Sequence, residues 1–110
     1  MYSVIIVPHF KRQLKPFVKK YPDFKEAVIV LLEHFDPRLH DHLGNGIYKA
    51  RLQVKGLQKG KSKSFRLITL LIEREATIVP ITVYFKGDRA ALSKVELELH
   101  LQKTLSELKD

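Results

Sequence analysis

The side chains best equipped for chemistry are cations at period-two spacing. Lys49 and Arg51 alternate with Tyr48, Ala50 and Leu52, so in an extended strand they share one face and the apolar residues share the other. Tyr84 and Lys86 share a face in the same way near the end of the run Thr77–Lys86. Arg66 is the single charge in the otherwise apolar run Phe65–Ile72. A guanidinium in such a strand loses hydration, a cost that a partner usually offsets. Two partners fit: an acid such as Glu73 or Asp88, or a phosphate gripped by the paired donors of the guanidinium.

The wider charge pattern leans toward an anion. Twenty Lys and Arg face twelve Asp and Glu, a net charge of +8. From Met1 to Pro22 the basic residues Lys11, Arg12, Lys15, Lys19 and Lys20 meet no acid. From His42 to Ile72 neither do Lys49, Arg51, Lys55, Lys59, Lys61, Lys63 and Arg66. Two acid-free blocks in a short chain point to a polyanionic partner, with a merely solubilising surface as the plainer alternative.

At 110 residues, 45% hydrophobic and 29% charged, the chain suits one globular domain spanning 1–110, with enough apolar surface for a core. The absence of cysteine excludes disulfides, thiolate metal sites and a cysteine nucleophile. The apolar runs Val4–Val7 and Ala27–Leu32 are far shorter than the ~20 residues of a membrane span. Nothing at the N-terminus reads as a signal peptide, the first basic residue being Lys11. A cytoplasmic protein with no membrane contact is the expectation.

The elements that must position these side chains follow from periodicity. Tyr2–Val7 is β-rich and predicts a first strand. Pro8 suits a helix start, and Phe10, Leu14, Phe17, Val18 and Tyr21 follow at helical spacing, with a kink expected at Pro16. Asp23 and Glu26 resemble a capping box for a second helix whose apolar face is Phe24, Val28, Leu31, Leu32 and Phe35, closed by Asp36-Pro37. The two helices form an αα-hairpin. Leu43–Gly46 is turn punctuation, followed by the alternating strand, a Lys/Gly/Ser loop over Gly56–Ser64, a central strand over Phe65–Ile72, a tight turn, and a strand over Thr77–Lys86. Pro80 predicts a bulge or an edge in that last strand. Ser93 and Glu96 form a capping box, flanked by Leu92 and Leu97, for a final helix striped by Leu97, Leu101, Leu105 and Leu108. The order β-α-α-β-β-β-α predicts an α+β fold: a small antiparallel sheet with an N-terminal αα-hairpin and a C-terminal helix.

Other constellations are weaker. Gly56–Ser62 has three residues between its glycines where a phosphate-binding loop of the Walker type needs four, and a strand rather than a helix follows. His34, His40, Asp41 and His42 lack the spacing of a metal site and read as surface loop. His9 and His100 fall on helices, and Tyr48 falls on the core face. No metal or other cofactor is expected.

Segments in register along nearly the whole chain resemble the RelE/ParE superfamily of bacterial type II toxins. Leu43-Gly44-Asn45-Gly46-Ile47-Tyr48-Lys49-Ala50-Arg51 resembles its L-x-G-x-x-K-x-R stretch, and Gly60-Lys61-Ser62-Lys63-Ser64-Phe65-Arg66-Leu67-Ile68 its G-K-S-G-G-x-R-v-i stretch. Ile81–Lys86 is similar to its closing i-Y-x-K strand. Phe10–Lys15 and Leu92–Leu101 are like its first and last helices. Lys63-Ser64 replaces the usual glycine pair. Thr69-Leu70-Leu71 stands where many members carry a tyrosine. The final-helix tyrosine of RelE has no counterpart here, leaving His100 as a substitute.

This resemblance implies a RelE/HigB-like toxin fold and a metal-independent, ribosome-associated endoribonuclease that cleaves mRNA by in-line attack of a 2′-OH. It implies Arg66 clamping the scissile phosphate and Lys49 and Arg51 stabilising developing charge, with Lys49, crowded by other cations, also moving protons. Tyr84 would stack on a base or orient the 2′-OH. Lys86, Lys55, Lys59, Lys61 and Lys63 would bind RNA backbone. The implied partners are mRNA, the ribosome and a cognate antitoxin bearing an acidic segment. Two other functions stay open: a ParE-like topoisomerase inhibitor, and a cationic RNA-binding module without strong catalysis.

Overall fold

Strand β4 (Phe65–Ile72) is the spine of the molecule. The structure, a computed structural model, describes residues 1–54 and 64–109. Beside β4 run β3 (Ile47–Leu52) and β5 (Thr77–Phe85), both antiparallel to it. The outer strands are β2 (Asp41–Gly44), paired with β3, and β1 (Ser3–Val4), paired with β5. The sheet order is therefore β1-β5-β4-β3-β2. Helices α1 (Pro8–Lys20) and α2 (Phe24–Glu33) form the expected hairpin, and α3 (Lys94–Leu108) closes the chain. The α+β class expected from the sequence is the one observed.

Alternation along β4 and β5 builds two apolar layers on opposite faces of the sheet. Phe65, Leu67 and Leu71 join Tyr48, Leu52 and Val83 on one face, beneath Phe10, Phe24, Val28 and Leu32 of the hairpin. Phe65 is the hub. It is fully buried, with Phe17, Tyr21, Phe24 and Phe85 packed around its ring at centroid distances of 4.8–5.6 Å. On the other face Ile47, Ile68, Ile81 and Tyr84 meet Leu92, Leu97 and Leu101 from α3 and the segment before it.

Local chemistry explains the ends of the elements. Ser93 Oγ accepts from Glu96 N, and Glu96 Oε1 accepts from Ser93 N, completing the predicted capping box. Arg89 adds an ion pair to Glu96, holding its carboxyl down at about 2. The expected bulge appears where Ile68 pairs with Thr82 but Thr69 pairs with Pro80, leaving Ile81 as the extra residue. Thr69 Oγ1, buried beside this irregularity, has no hydrogen-bond partner among the described residues.

Some expectations are corrected. The first strand is two residues long rather than six, and it pairs parallel to β5, so the sheet is mixed. Asp41–Gly44, read as loop and turn, is a fifth strand. Asp23 makes no side-chain cap to α2; its backbone geometry there (φ −94°, ψ 7°) is not the extended one an N-cap usually adopts. By contrast, the first helix runs through Pro16 and ends at Lys20, ahead of Pro22, as expected. On α3, Leu105 faces solvent while Thr104 is buried, its hydroxyl donating to His100 O at 2.8 Å.

The α1–α3 contact holds two imidazoles. His9 Nε2 and His100 Nδ1 are 2.8 Å apart, and Glu107 takes His9 N at 2.6 Å and Arg12 at 2.9 Å. Burial pushes both histidines down from 6.5, and for His9 the facing His100 adds to the effect. The unfolded chain therefore binds protons at these sites before the folded chain does. Their contribution is complete above about pH 6.5 and declines as pH falls through the lower folded values. Thermal melts at pH 7.5 and pH 5.5 should show the lower melting temperature in acid, with H100Q narrowing the difference. Phe65→Ala should cost about 3–5 kcal/mol, as removal of a large core aromatic does, measured by urea unfolding.

Candidate functional site

Sheet register gathers the cations. Arg51, Arg66 and Tyr84 are direct cross-strand partners on β3, β4 and β5. The adjacent row on the same face is Asp41, Lys49, Ile68 and Thr82. Leu39, His40, Asp41, Lys49, Arg51 and Arg66 line a cleft of about 260 Å³. That lies below the roughly 300–1,000 Å³ of pockets that enclose drug-sized ligands and suits a phosphodiester group. Three other concavities are larger: about 440 Å³ between α2 and the end of β3, reaching Arg51; about 630 Å³ between β1, α1 and α2; and about 310 Å³ between α1 and the end of β5, reaching Tyr84. None gathers the set.

Arg66 forms the floor. It is 6% exposed, its Nη1 donating to Ser64 Oγ and, at 3.3 Å, to Phe65 O. It makes no ion pair with Glu73, Asp88 or any other acid among the described residues. Burial pushes the guanidinium below its ordinary range, and Arg51 opposite pushes the same way, against weaker pulls from Tyr84 and Asp41. An arginine stays protonated through such a shift. Like charges directly opposite across two strands are destabilising, so the Arg51–Arg66 pair is a site whose energy an anion would lower.

The walls differ in depth. Arg51 is exposed and Lys49 half-buried, both on the face that alternation assigned to them. Tyr84, 6% exposed, packs with Ile47, Ile68 and Ile81, and burial pushes its phenol up despite Arg66 and Arg89. With so little ring surface free, it can flank Arg66 but not stack on a base without moving. Lys86 lies just past β5, its N donating to Ser64 O at 3.0 Å, which extends the ladder beside Arg66. Lys55, Lys59, Lys61 and Lys63, and the glycine loop that carries them, lie outside the described residues.

His40 and Asp41, read in the sequence as surface loop, are part of the cleft. Asn45 and Gly46, with φ of 53° and 78°, form a two-residue hairpin loop of the type that Asn-Gly favours. A Cβ on Gly46 would meet Leu71 O at 2.7 Å, so the loop is tied closely to β4. This hairpin sets Asp41 opposite Lys49 and brings His40 to the rim. The signal was present: a two-residue turn before one strand implies a partner strand before the turn. His100 does not line this cleft; it is engaged with His9. No group of three or more His, Asp or Glu side chains suited to a metal ion occurs among the described residues, and no helix there is long and apolar enough to cross a membrane.

No known protein family matches the chain, nor does any curated protein. It is similar to solved structures of an E. coli toxin. A chain of the intact E. coli RelBE toxin–antitoxin complex is 16% identical, with 76% of this chain and 94% of that one covered and a TM-score of 0.49. An arginine-to-alanine mutant of E. coli toxin RelE in the free state is 18% identical, with 81% and 87% covered and a TM-score of 0.48. The isolated E. coli RelE toxin is 20% identical, with 93% and 98% covered and a TM-score of 0.48.

A buried arginine that served the fold through an ion pair would be costly to remove, about 3–5 kcal/mol. Arg66 has no such pair and faces Arg51. Arg66→Met should therefore lose no more than about 1 kcal/mol and can gain stability, read from urea midpoints of the two proteins.

Proposed function

We propose that this chain is the toxin of a bacterial type II toxin–antitoxin pair, a single RelE/ParE-like domain that cleaves mRNA at the ribosome without a metal ion. The observation that carries this reading is Arg66, a desolvated guanidinium without an acidic partner among the described residues, in register with Arg51 and sharing a cleft with Lys49. A phosphodiester supplies the missing counter-charge. The in-register motifs around Lys49, Arg51, Arg66 and Tyr84 add sequence support.

In the reaction, the 2′-oxygen of the RNA bonds to the adjacent phosphorus as the bond from phosphorus to the 5′-oxygen breaks. The products are a 2′,3′-cyclic phosphate and a free 5′-OH. One proton leaves the 2′-OH and one reaches the departing 5′-oxygen. Such chemistry needs alignment and charge stabilisation more than covalent help. Arg66 holds two non-bridging oxygens through its paired donors. Arg51, across the strand, stabilises the extra negative charge of the pentacoordinate state, and the Lys49 ammonium donates to the leaving oxygen. Tyr84 walls the far side of Arg66, keeping water from its buried flank. Lys86, Lys55, Lys59, Lys61 and Lys63 follow the RNA backbone, a contact that weakens with salt.

The antitoxin in this reading presents an acidic segment to the same cations and occludes Arg66. Charge steers the encounter and makes it salt-sensitive, while apolar anchors supply most of the affinity. The protein acts in the cytoplasm, where mRNA and ribosomes are.

Arg66→Ala should abolish growth arrest on induction and cleavage of ribosome-bound mRNA, at equal soluble expression. Lys49→Ala and Arg51→Ala should each slow cleavage by one to three orders of magnitude, about 1.4–4 kcal/mol of transition-state stabilisation. Cleavage should persist in excess EDTA wherever the ribosome stays intact. Full toxicity in the Arg66 variant would falsify the site. Growth arrest with intact mRNA and inhibited supercoiling would favour topoisomerase inhibition, and salt-sensitive RNA binding without cleavage would favour a binding module.

A further inference from the structure

We infer that the His40 imidazole is the general base of this site, taking the proton from the attacking 2′-OH; the inference rests on the nuclease reading above. His40 ends the short 3₁₀ turn Pro37–Leu39 and immediately precedes β2. Its ring stacks on buried Phe35, with centroids 5.0 Å apart and planes 27° from parallel. Neither ring nitrogen has a hydrogen-bond partner among the described residues. A half-buried imidazole, oriented by an aromatic face and with both nitrogens unengaged, therefore lines the cleft that holds Lys49, Arg51 and Arg66.

Chemistry separates His40 from its neighbours. Lysine, arginine and tyrosine side chains ordinarily hold their protons at neutral pH, and a carboxylate such as that of Asp41 is a weaker base than imidazole. A base works best when its own titration lies near the operating pH. Around His40 stand Asp36, itself bound to Arg38 at 2.9 Å, and Asp41, both of which favour the imidazolium. Lys49, Arg51 and Arg66 share its cleft. Burial outweighs the two acids and pushes the ring down from 6.5, so at neutral pH it is the free base. The proton passes from the 2′-OH to His40, the 2′-oxygen bonds to phosphorus, and the 5′-oxygen leaves with a proton from Lys49. His40 then returns its proton to solvent while Lys49 regains one from it, so the protein ends as it began, and no oxidant or metal enters the balance.

The test follows cleavage of a defined mRNA on programmed ribosomes by the full-length chain, from pH 5.5 to 8. Wild type should gain rate with rising pH along an acid limb centred below pH 6.5, then level off. H40Q should lose about 100-fold or more at pH 7, bind RNA as wild type does, and lack the limb. Added imidazole should restore part of the rate in H40A. Because both variants keep His9 and His100, a limb caused by their effect on stability would survive the substitution. H40Q cleaving at the wild-type rate overturns the assignment, as does a limb that disappears in D41N instead. A flat wild-type profile overturns it without any variant needing to fold. Wild type that cleaves no mRNA at any pH overturns the nuclease reading and the base with it, whereas cleavage in wild type and H40Q alike removes only the base.

Discussion

A guanidinium buried without a carboxylate partner among the described residues is the constraint around which this molecule is arranged. Arg66 lies in the centre of the sheet, where burial penalises its charge, and among the described residues a hydroxyl and a carbonyl accept from it. Its cross-strand partner is another arginine. Such a residue stays in place only if the strand carrying it is held by something stronger. One residue earlier, Phe65 points the opposite way into a cluster of four aromatic rings. Apolar packing on one face thus fixes an electrostatically unfavourable charge on the other, and the period of two in a strand makes both possible at neighbouring positions.

The face that carries Arg66 is divided along its length. Ile47, Ile68 and Ile81 are covered by Leu92, Leu97 and Leu101, so α3 docks over one part of the sheet. The capping box and the Arg89–Glu96 pair start α3 at a defined point. Beyond the reach of α3 the same face turns cationic and stays open, bounded by β2 and the short turn before it. Tyr84 sits on the boundary, packed with the isoleucines and paired in register with Arg66.

Much of this was legible in the sequence where a local pattern decides the structure. The limits of β4, the capping box of α3, the bulge at Pro80 and the division of β3 into core and cationic faces each follow from a few neighbouring residues. Elements that depend on a distant partner were less legible. Asp41–Gly44 has neither alternation nor β-branched residues; it is a strand because the Asn45-Gly46 turn folds it onto β3. Missing that strand left His40 and Asp41 in a loop. Conversely, Tyr2–Val7 has the composition of a strand, yet only Ser3 and Val4 pair in register with β5, and Val4, Ile5 and Ile6 are substantially exposed. The candidate side chains could be named from the sequence but not their gathering into a cleft, because register, set by two hairpins and a bulge, decides which cations face one another.

The two-residue β1 also has a bearing on how the chain assembles. Strands β2 to β5 are joined in sequence to their neighbours, so each pairing closes a far shorter stretch of chain than β1 requires. Pairing β1 with β5 instead brings Ser3 to Thr77, a long closure whose entropy a two-residue ladder offsets poorly. That seam is the part of the sheet cheapest to open and the last to gain from forming. Among the described residues the cleft is lined by β2, β3, β4 and the turn before β2, so its geometry does not wait on β1.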